Sequence, residues 1–374
     1  MTSDAAPYTA LSQQFRRFAV TQCAETSPLY WHLATAIADD PEMLALAARC
    51  RPEQPAPNLL FGAVHFLLLQ GQAAPLARFY PGLTATPDPP DRAYPHFRAF
   101  CRLHQPAIQD IIAWRRVQTN EINRCSYLLP AFCLVAERAR RPLALLEIGT
   151  SAGLNLLWDR YRYRYRHAGT TLKTGPDTAP VVLETELRGP YRPPLPASLP
   201  PVGYRAGIDL NSIDTRDPTE ACWLRALIWP EHRDRMARLQ AAIALRQQTT
   251  LMLDSGDALH LLPDRLAQVP AEYALVVFHT HVLNQFSPLQ RRQLDTLLHA
   301  AATHRSIFRL GNDMGDGGAK QYALKLLEMH NGTTTGQHIA NCDGHGRWLE
   351  WLVETGAEAT PGTPETPGGS YDPR

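Results

Sequence analysis

The sequence predicts an α/β protein in which an all-helical N-terminal region precedes a doubly wound, mostly parallel sheet. A change of hydrophobic period carries this. From Tyr8 to about Arg138 apolar residues recur at three- and four-residue spacing, with breaks at proline. After Arg141-Pro142 short apolar runs alternate with helical stretches, as strands buried on both faces do. A chain of 374 residues has room for both parts. The reading divides it into a helical cap over 1–140, a sheet domain over 141–354 with an insertion at about 161–203, and a disordered tail over 355–374 rich in Gly, Pro, Thr and Glu.

In the cap, Phe15, Phe18, Ala19 and Cys23 share one face of a first helix. Ser27-Pro28 and Asp40-Pro41 start the next two, with proline in the first turn. Asn58 is positioned to cap an apolar helix ending at Gly71, and Pro81 to Pro95 is a loop before helices around Phe97 and Ile108–Val117. In the sheet domain the strand candidates are Leu143–Ile148, Tyr204–Leu210, Leu251–Leu253, Ala274–Phe278 and Ile307–Leu310. Trp223–Arg246 and Pro288–Ala302 are helical between them, and Ala323–Met329 with Thr333–Ile339 form a hairpin at one sheet edge, turning at Asn331-Gly332.

Composition excludes several classes. Thirty-seven basic against thirty-six acidic residues give no global attraction to nucleic acid or anionic lipid, so nucleic acid is not expected as a partner. Seven cysteines without a C-x-x-C pair argue for reduced, buried thiols, with no disulfide framework and no metal site. Leu59–Leu69, the longest apolar run, is too short to span a bilayer, and no secretory signal is visible, so a cytoplasmic protein is expected.

The most informative segment runs from Leu143 through Glu147, Gly149, Ser151 and Gly153 to Asn155, and reads as strand, Gly-rich turn, helix. Such a turn lets backbone approach a ligand without Cβ interference. It fits two chemistries. One is the S-adenosylmethionine turn, Glu/Asp-x-Gly-x-Gly-x-Gly with Ser151 at the middle glycine, which makes the sheet Rossmann-like and class I methyltransferase-like. A nicotinamide turn fits poorly, since Ser151 and Leu154 stand where G-x-G-x-x-G needs glycine, and Gly311–Lys320 lacks the Gly-Lys-Ser/Thr of a nucleotide loop. The other is the G-x-S-x-G nucleophile elbow of serine hydrolases, matched by Gly149 to Gly153, with Asp254 or Asp257 and His279 or His281 downstream. Against it, no strand or oxyanion segment precedes Leu143.

A second carboxylate favours the first chemistry. Asp209, with Leu210 beside it, ends a strand where a ribose-binding acid stands, although 56 residues after Gly153 rather than about 20, which is why 161–203 reads as an insertion. Asp257 and Ala258 follow the next strand where the adenine edge is met. Capping of the following helices is the alternative for both. The expected cofactor set is therefore Glu147, Gly149, Ser151, Gly153, Asn155, Asp209, Leu210, Asp257 and Ala258. After the fourth strand His279 and His281, sharing one strand face, and Asn284 are the candidate catalytic residues, a histidine serving as base on a small-molecule or otherwise unknown methyl acceptor. No Asp/Asn-Pro-Pro-Tyr is present, so amino methylation of a base is not indicated.

Ser27-Pro-Leu-Tyr30, Pro57-Asn-Leu-Leu60 with Ala63-Val-His65, Leu146–Asn155, Asp159–Tyr163, Gly207–Asn211, Trp223–Ala226 with Trp229-Pro230, and Asp343-Gly-His345-Gly together resemble the bacterial domain-of-unknown-function family 2332, over about residues 10–352. The resemblance implies a helical region fused to a methyltransferase-like domain and supplies no substrate.

Arg160 to His167 alternates arginine with tyrosine, which suits stacking and phosphate neutralisation on a single-stranded nucleic acid, the third functional class beside the two enzymes. The period of two equally suits a strand with Tyr161, Tyr163 and Tyr165 inward and its arginines outward. Glu184 and Glu186 on Val181–Leu187 then face those arginines in an antiparallel pair, the preferred reading.

Overall fold

The structure is a computed structural model describing residues 8–118, 120–314 and 321–354. The helical region comprises α1 (Thr9–Phe18), α2 (Pro28–Ile37), α3 (Pro41–Ala47), α4 (Ala56–Leu69), α5 (Tyr94–Leu103), α6 (Gln105–Trp114) and α7 (Cys125–Ala139). Its starts follow local chemistry. Ser27 accepts from the Tyr30 N–H with Pro28 in the first turn, and Asp40 accepts from Glu42 and Met43 ahead of α3. Helix α4 begins at Ala56, behind Pro55, so Asn58 lies inside it rather than capping it. Phe15, Phe18, Ala19 and Cys23 are all buried, and Phe61 stacks on Tyr30 with ring centroids 4.4 Å apart.

A single sheet follows, with β1 (Leu143–Ile148), β2 (Arg162–His167), β3 (Thr170–Thr174), β4 (Val182–Arg188), β5 (Val202–Asp209), α8 (Pro218–Ala226), α9 (Arg233–Gln247), β6 (Met252–Ser255), α10 (Ala258–Ala267), β7 (Ala274–Thr280), α11 (Pro288–Ala302), β8 (Ile307–Met314), β9 (Tyr322–His330), β10 (Thr333–Cys342) and β11 (Trp348–Trp351). Its order is β3-β2-β4-β11-β10-β9-β8-β7-β1-β5-β6. From β6 to β8 all pairings are parallel. Strand β1 is wholly buried at the centre of that set, with Leu143 and Leu145 packed in one core and Ala144, Leu146 and Ile148 in the other. Helices α7 and α9 contribute to the first core, α10 and α11 to the second. After β1 the chain first builds β2, β3 and β4 at the far edge of the sheet, then places β5 and β6 on one side of β1 and β7 and β8 on the other. The strand order therefore reverses at β1 and β7, where an open α/β sheet has its crevice.

Three details differ from the sequence expectation. The hairpin of β9 and β10 forms, but inside the sheet, because β11 pairs with β10 and β4 pairs with β11. Strands β2 and β4 pair in parallel, because β3 takes the other side of β2 as an antiparallel hairpin and the chain crosses back before β4. The tyrosines are nonetheless buried, and Arg164 and Arg166 both pair with Glu184, whereas Glu186 pairs with Arg188. The Gly-rich turn leads into a seven-residue 3-10 segment, Leu154–Arg160, in place of an α-helix. Every side chain from Leu154 to Trp158 is buried, so no polar face supports a longer amphipathic helix there.

Residues 161–203 thus extend the main sheet through β2, β3 and β4. The helical part shares its core with Cys222, Trp223 and Ala226 of α8, while α7 belongs to the sheet's core. All seven cysteines are unpaired, and six are buried. Among the described residues no helix is long and apolar enough to cross a membrane and no group of metal-ligating side chains is present. The 355–374 segment and part of Gly311–Lys320 lie outside the described residues.

Candidate functional site

The turn after β1 is built from left-handed backbone. Gly149, Ser151 and Gly153 have φ of 77°, 52° and 75°. Ser151 in that region is uncommon for a residue with a Cβ. Gly149 is obligatory for a second reason: a Cβ there would lie 2.1 Å from Cγ2 of Val282. The turn is fixed to β5, since the Gly149 N–H donates to Ile208 O at 2.8 Å and the Ser151 N–H donates to Asp209 Oδ2 at 2.9 Å. Asp209 Oδ1 also accepts from the Asn211 N–H and from Gln118 Nε2, each at 2.9 Å. Gln118 comes from the segment joining α6 to α7, so the helical region reaches the switch point through it. Burial raises the Asp209 carboxyl above its ordinary range against the pull of the Asn211 and Ser151 N–H groups. Leu210, beside it, is 63% exposed.

Glu147 points the other way. Fully buried, it accepts from Thr150 Oγ1 at 2.8 Å and from Asn155 Nδ2 at 2.9 Å, bracing the turn from beneath. Burial pushes its carboxyl from 4.5 up to about 8, partly offset by those two hydrogen bonds. The folded form then holds a proton that the unfolded chain loses above 4.5, so stability falls as pH rises from about 4.5 to about 8 and is flat beyond. Glu147→Gln, which copies the protonated acid, is expected to flatten that limb and to exceed the parent in stability at pH 8.5 by about 1–3 kcal/mol. Urea melts of both proteins between pH 5 and 9 measure this; parallel profiles would show that Glu147 is ionised in the fold.

The remaining expected residues separate. Asp257 is exposed and caps α10, accepting from the Leu259 N–H at 2.9 Å, with Ala258 buried in the first turn. Asp254 is gripped by Arg265. His279 is buried in β7 against Gly311, its Nδ1 without a hydrogen bond among the described residues, and burial with nearby Arg309 lowers it to about 3. His281 does not share its face: φ of 56° ends the strand alternation and sets the ring against Tyr322, centroids 4.3 Å apart. Asn284 is exposed on the short 3-10 turn Leu283–Gln285. Ser151 Oγ is buried and has no hydrogen-bond partner among the described residues.

His281 opens onto a cleft of about 1240 Å³ between the helical region and the carboxyl edge of the sheet. One wall is Phe18, Tyr30, Phe61 and Trp229; the other holds Glu121, Arg124, Arg235, Arg238, Asp343 and His345. Glu231 ties the walls together, accepting from the Leu29 N–H at 2.8 Å and from Ser27 Oγ at 2.7 Å at the start of α2. On the floor, Glu121 pairs with Arg235 at 2.6 Å and Asp343 with Arg347 at 2.8 Å. Arg124 donates to Gly344 O and Thr280 Oγ1, each at 3.1 Å, and forms no ion pair among the described residues. The loop 343–347 seats here because Gly346 has φ of 72° and leaves no room for a Cβ, which would lie 2.1 Å from Asn123 O. Val282, which packs on Gly149, follows His281 directly, so turn and cleft are adjacent.

Sequence reasoning reached the turn and His281 but not Glu121, Arg124, Arg235 or His345. These come from the segment before α7, from α9 and from the loop before β11, with no local spacing to join them; the available signal was the Trp229-Pro230 and Asp343-Gly-His345-Gly strings, which the fold brings to one cleft. No curated protein and no solved structure shows a significant match to the chain. A family model does match, over residues 12–351, and the chain belongs to the family it describes, "Uncharacterized protein conserved in bacteria (DUF2332)".

Proposed function

We propose that the protein is an S-adenosylmethionine-dependent methyltransferase acting on an acceptor held in the cleft beside His281. The observation that carries the reading is the junction at the switch point, where the Asp209 carboxylate stands 2.9 Å from the Ser151 N–H of a left-handed, Gly-rich turn. The residues suit the cofactor in kind. Ser151 Oγ is buried and unpartnered among the described residues, Asp209 would serve as an acceptor for ribose hydroxyls, and Leu210 offers exposed apolar surface to a purine. Asp209, Leu210 and the Gly149–Gly153 turn would hold the cofactor, which supplies an electrophilic methyl group when bound. Glu147 and Asn155 support the turn from below, and Asp257 with Ala258 would approach the adenine only as the start of α10.

The remaining task of the chain is alignment. His281 is neutral near pH 7: burial, then the guanidinium of Arg124 and nearby His345, lower it to about 3. An imidazole so lowered is a weak base, so the reading favours an acceptor that is already a good nucleophile or whose own charge offsets Arg124. Calorimetric titration with S-adenosylhomocysteine and with NAD tests the proposal. The expected result is saturable binding of the former alone, weakened about tenfold or more by Asp209→Asn, a loss consistent with hydrogen bonds to a charged acceptor. No binding to folded protein sinks the reading. Fluorophosphonate labelling lost on Ser151→Ala would establish a serine hydrolase in its place.

A further inference from the structure

The cleft floor holds more cationic hydrogen-bonding capacity than the protein uses. Arg235 spends its terminal nitrogens on Glu121 and on His232 Nδ1, at 2.6 and 3.1 Å, yet its Nε is buried without a partner among the described residues. Arg238, one helical turn along α9 and so on the same face, has a buried, unpartnered Nε and no ion pair among the described residues. His281 Nε2 is likewise buried and without a hydrogen-bond partner among the described residues. Of the five carboxylates lining the cleft, Glu121 is committed to Arg235, Asp343 to Arg347 and Glu231 to the start of α2, while Glu25 and Asp234 make up the rest. Arg124 and Arg238 form no ion pair among the described residues, in a site whose other wall is aromatic. Buried donors left unpaired cost free energy that a bound acceptor would recover. The remaining guanidinium N–H groups, set beside a neutral imidazole, are donors of the kind that take an oxyanion.

We propose that the floor of this cleft is an oxyanion-binding site, in which Arg124, Arg235, Arg238 and His281 take the carboxylate or phosphate of a small organic acid whose apolar part lies against Tyr30, Phe61 and Trp229. The site stands without the cofactor; that its occupant is also the methyl acceptor rests on the reading above. An anion there also offsets the field of Arg124 on His281, so binding and the titration of that ring are linked.

The test uses the full chain without cofactor. Inorganic phosphate and acetate are titrated separately by calorimetry at low ionic strength, with chloride as the reference anion, and the His281 imidazole resonance, assigned through His281→Gln, is followed in parallel. The expected result is saturable binding of at least one probe with a shift of the His281 signal. Arg238→Met should weaken it at least tenfold, while Arg216→Met, whose guanidinium pairs with Asp214 outside the cleft, leaves it unchanged. Because Arg238 forms no ion pair among the described residues, its replacement should leave the melting temperature near the parent's, which separates loss of site from loss of fold. Preference for phosphate assigns a phosphorylated ligand and preference for acetate a carboxylate. Absence of saturable binding by both, or binding equal in Arg238→Met and parent, overturns the proposal whether or not S-adenosylhomocysteine binds.

Discussion

Alanine at position 149 is expected to cost the folded state about 2–4 kcal/mol, the largest effect of any single methyl group at the turn. Two terms add. With φ of 77° the backbone lies where an L-residue is strained, and the new Cβ would sit 2.1 Å from Val282 Cγ2, closer than any real contact. Strain of this kind costs on the order of 1–3 kcal/mol, and overpacking this half-buried contact adds about 1 kcal/mol, the low end for an overpacked site. The terms separate in a cycle. Val282→Ala removes the clash but not the strain, so Gly149→Ala in that background should recover about 1 kcal/mol of the loss, measured by urea denaturation. Full recovery would show that φ is unconstrained, and no recovery that the clash relaxes for nothing. Since Val282 adjoins His281, the single variant should also shift the His281 resonance, whereas a defect confined to the turn would not.

The same residues show what was legible beforehand. The turn was readable because one strand, one hydrophobic run and three small residues suffice to specify it, and local chemistry decides such a feature. So were the buried face of Tyr161, Tyr163 and Tyr165 and the proline-led starts of α2 and α3, each fixed within a few residues. The direction of β4 was not, since it depends on β3, whose sequence Thr-Thr-Leu-Lys-Thr has mostly exposed side chains and no apolar alternation to announce a strand. Nor was His281 separable from His279, because a period of two held only until the strand ended, and a left-handed residue at 281 leaves no mark in the sequence. The cleft floor is the extreme case. Glu121 and Arg235 are 114 positions apart and meet only because α9 returns across the carboxyl edge of the sheet, a tertiary fact that no periodicity encodes.

That pair carries the second large effect. Glu121 has a side chain only 4% exposed; its Oε2 meets Arg235 at 2.6 Å, and its Oε1 accepts from the Asn123 N–H at 3.1 Å. Asn123 in turn donates to the Gly346 carbonyl at 2.8 Å, so the carboxylate anchors both the guanidinium and the loop 343–347. Burial alone would raise this acid, but the guanidinium of Arg235, then His345, overrides it and holds the carboxyl below its ordinary 4.5. Removing one partner of such a pair strands the other charge, at a cost of about 3–5 kcal/mol when both are buried. Arg235 retains 22% exposure, so Glu121→Ala is expected near the lower end, about 3 kcal/mol. The sign with pH follows from the depressed value: the contribution is complete above 4.5 and is lost as pH falls through the folded value, so the gap between parent and variant should close in acid. Glu121→Gln keeps an acceptor for the Asn123 N–H and should fall between the two. The decisive comparison is Glu121→Ala with Arg235→Met added. Deleting the stranded cation should return part of the stability that the first substitution removed, read as a rise in urea midpoint at pH 7. A double variant weaker than Glu121→Ala by the full cost of Arg235→Met alone would mean that the two side chains act independently, with the anchoring of Asn123 as the main role of Glu121.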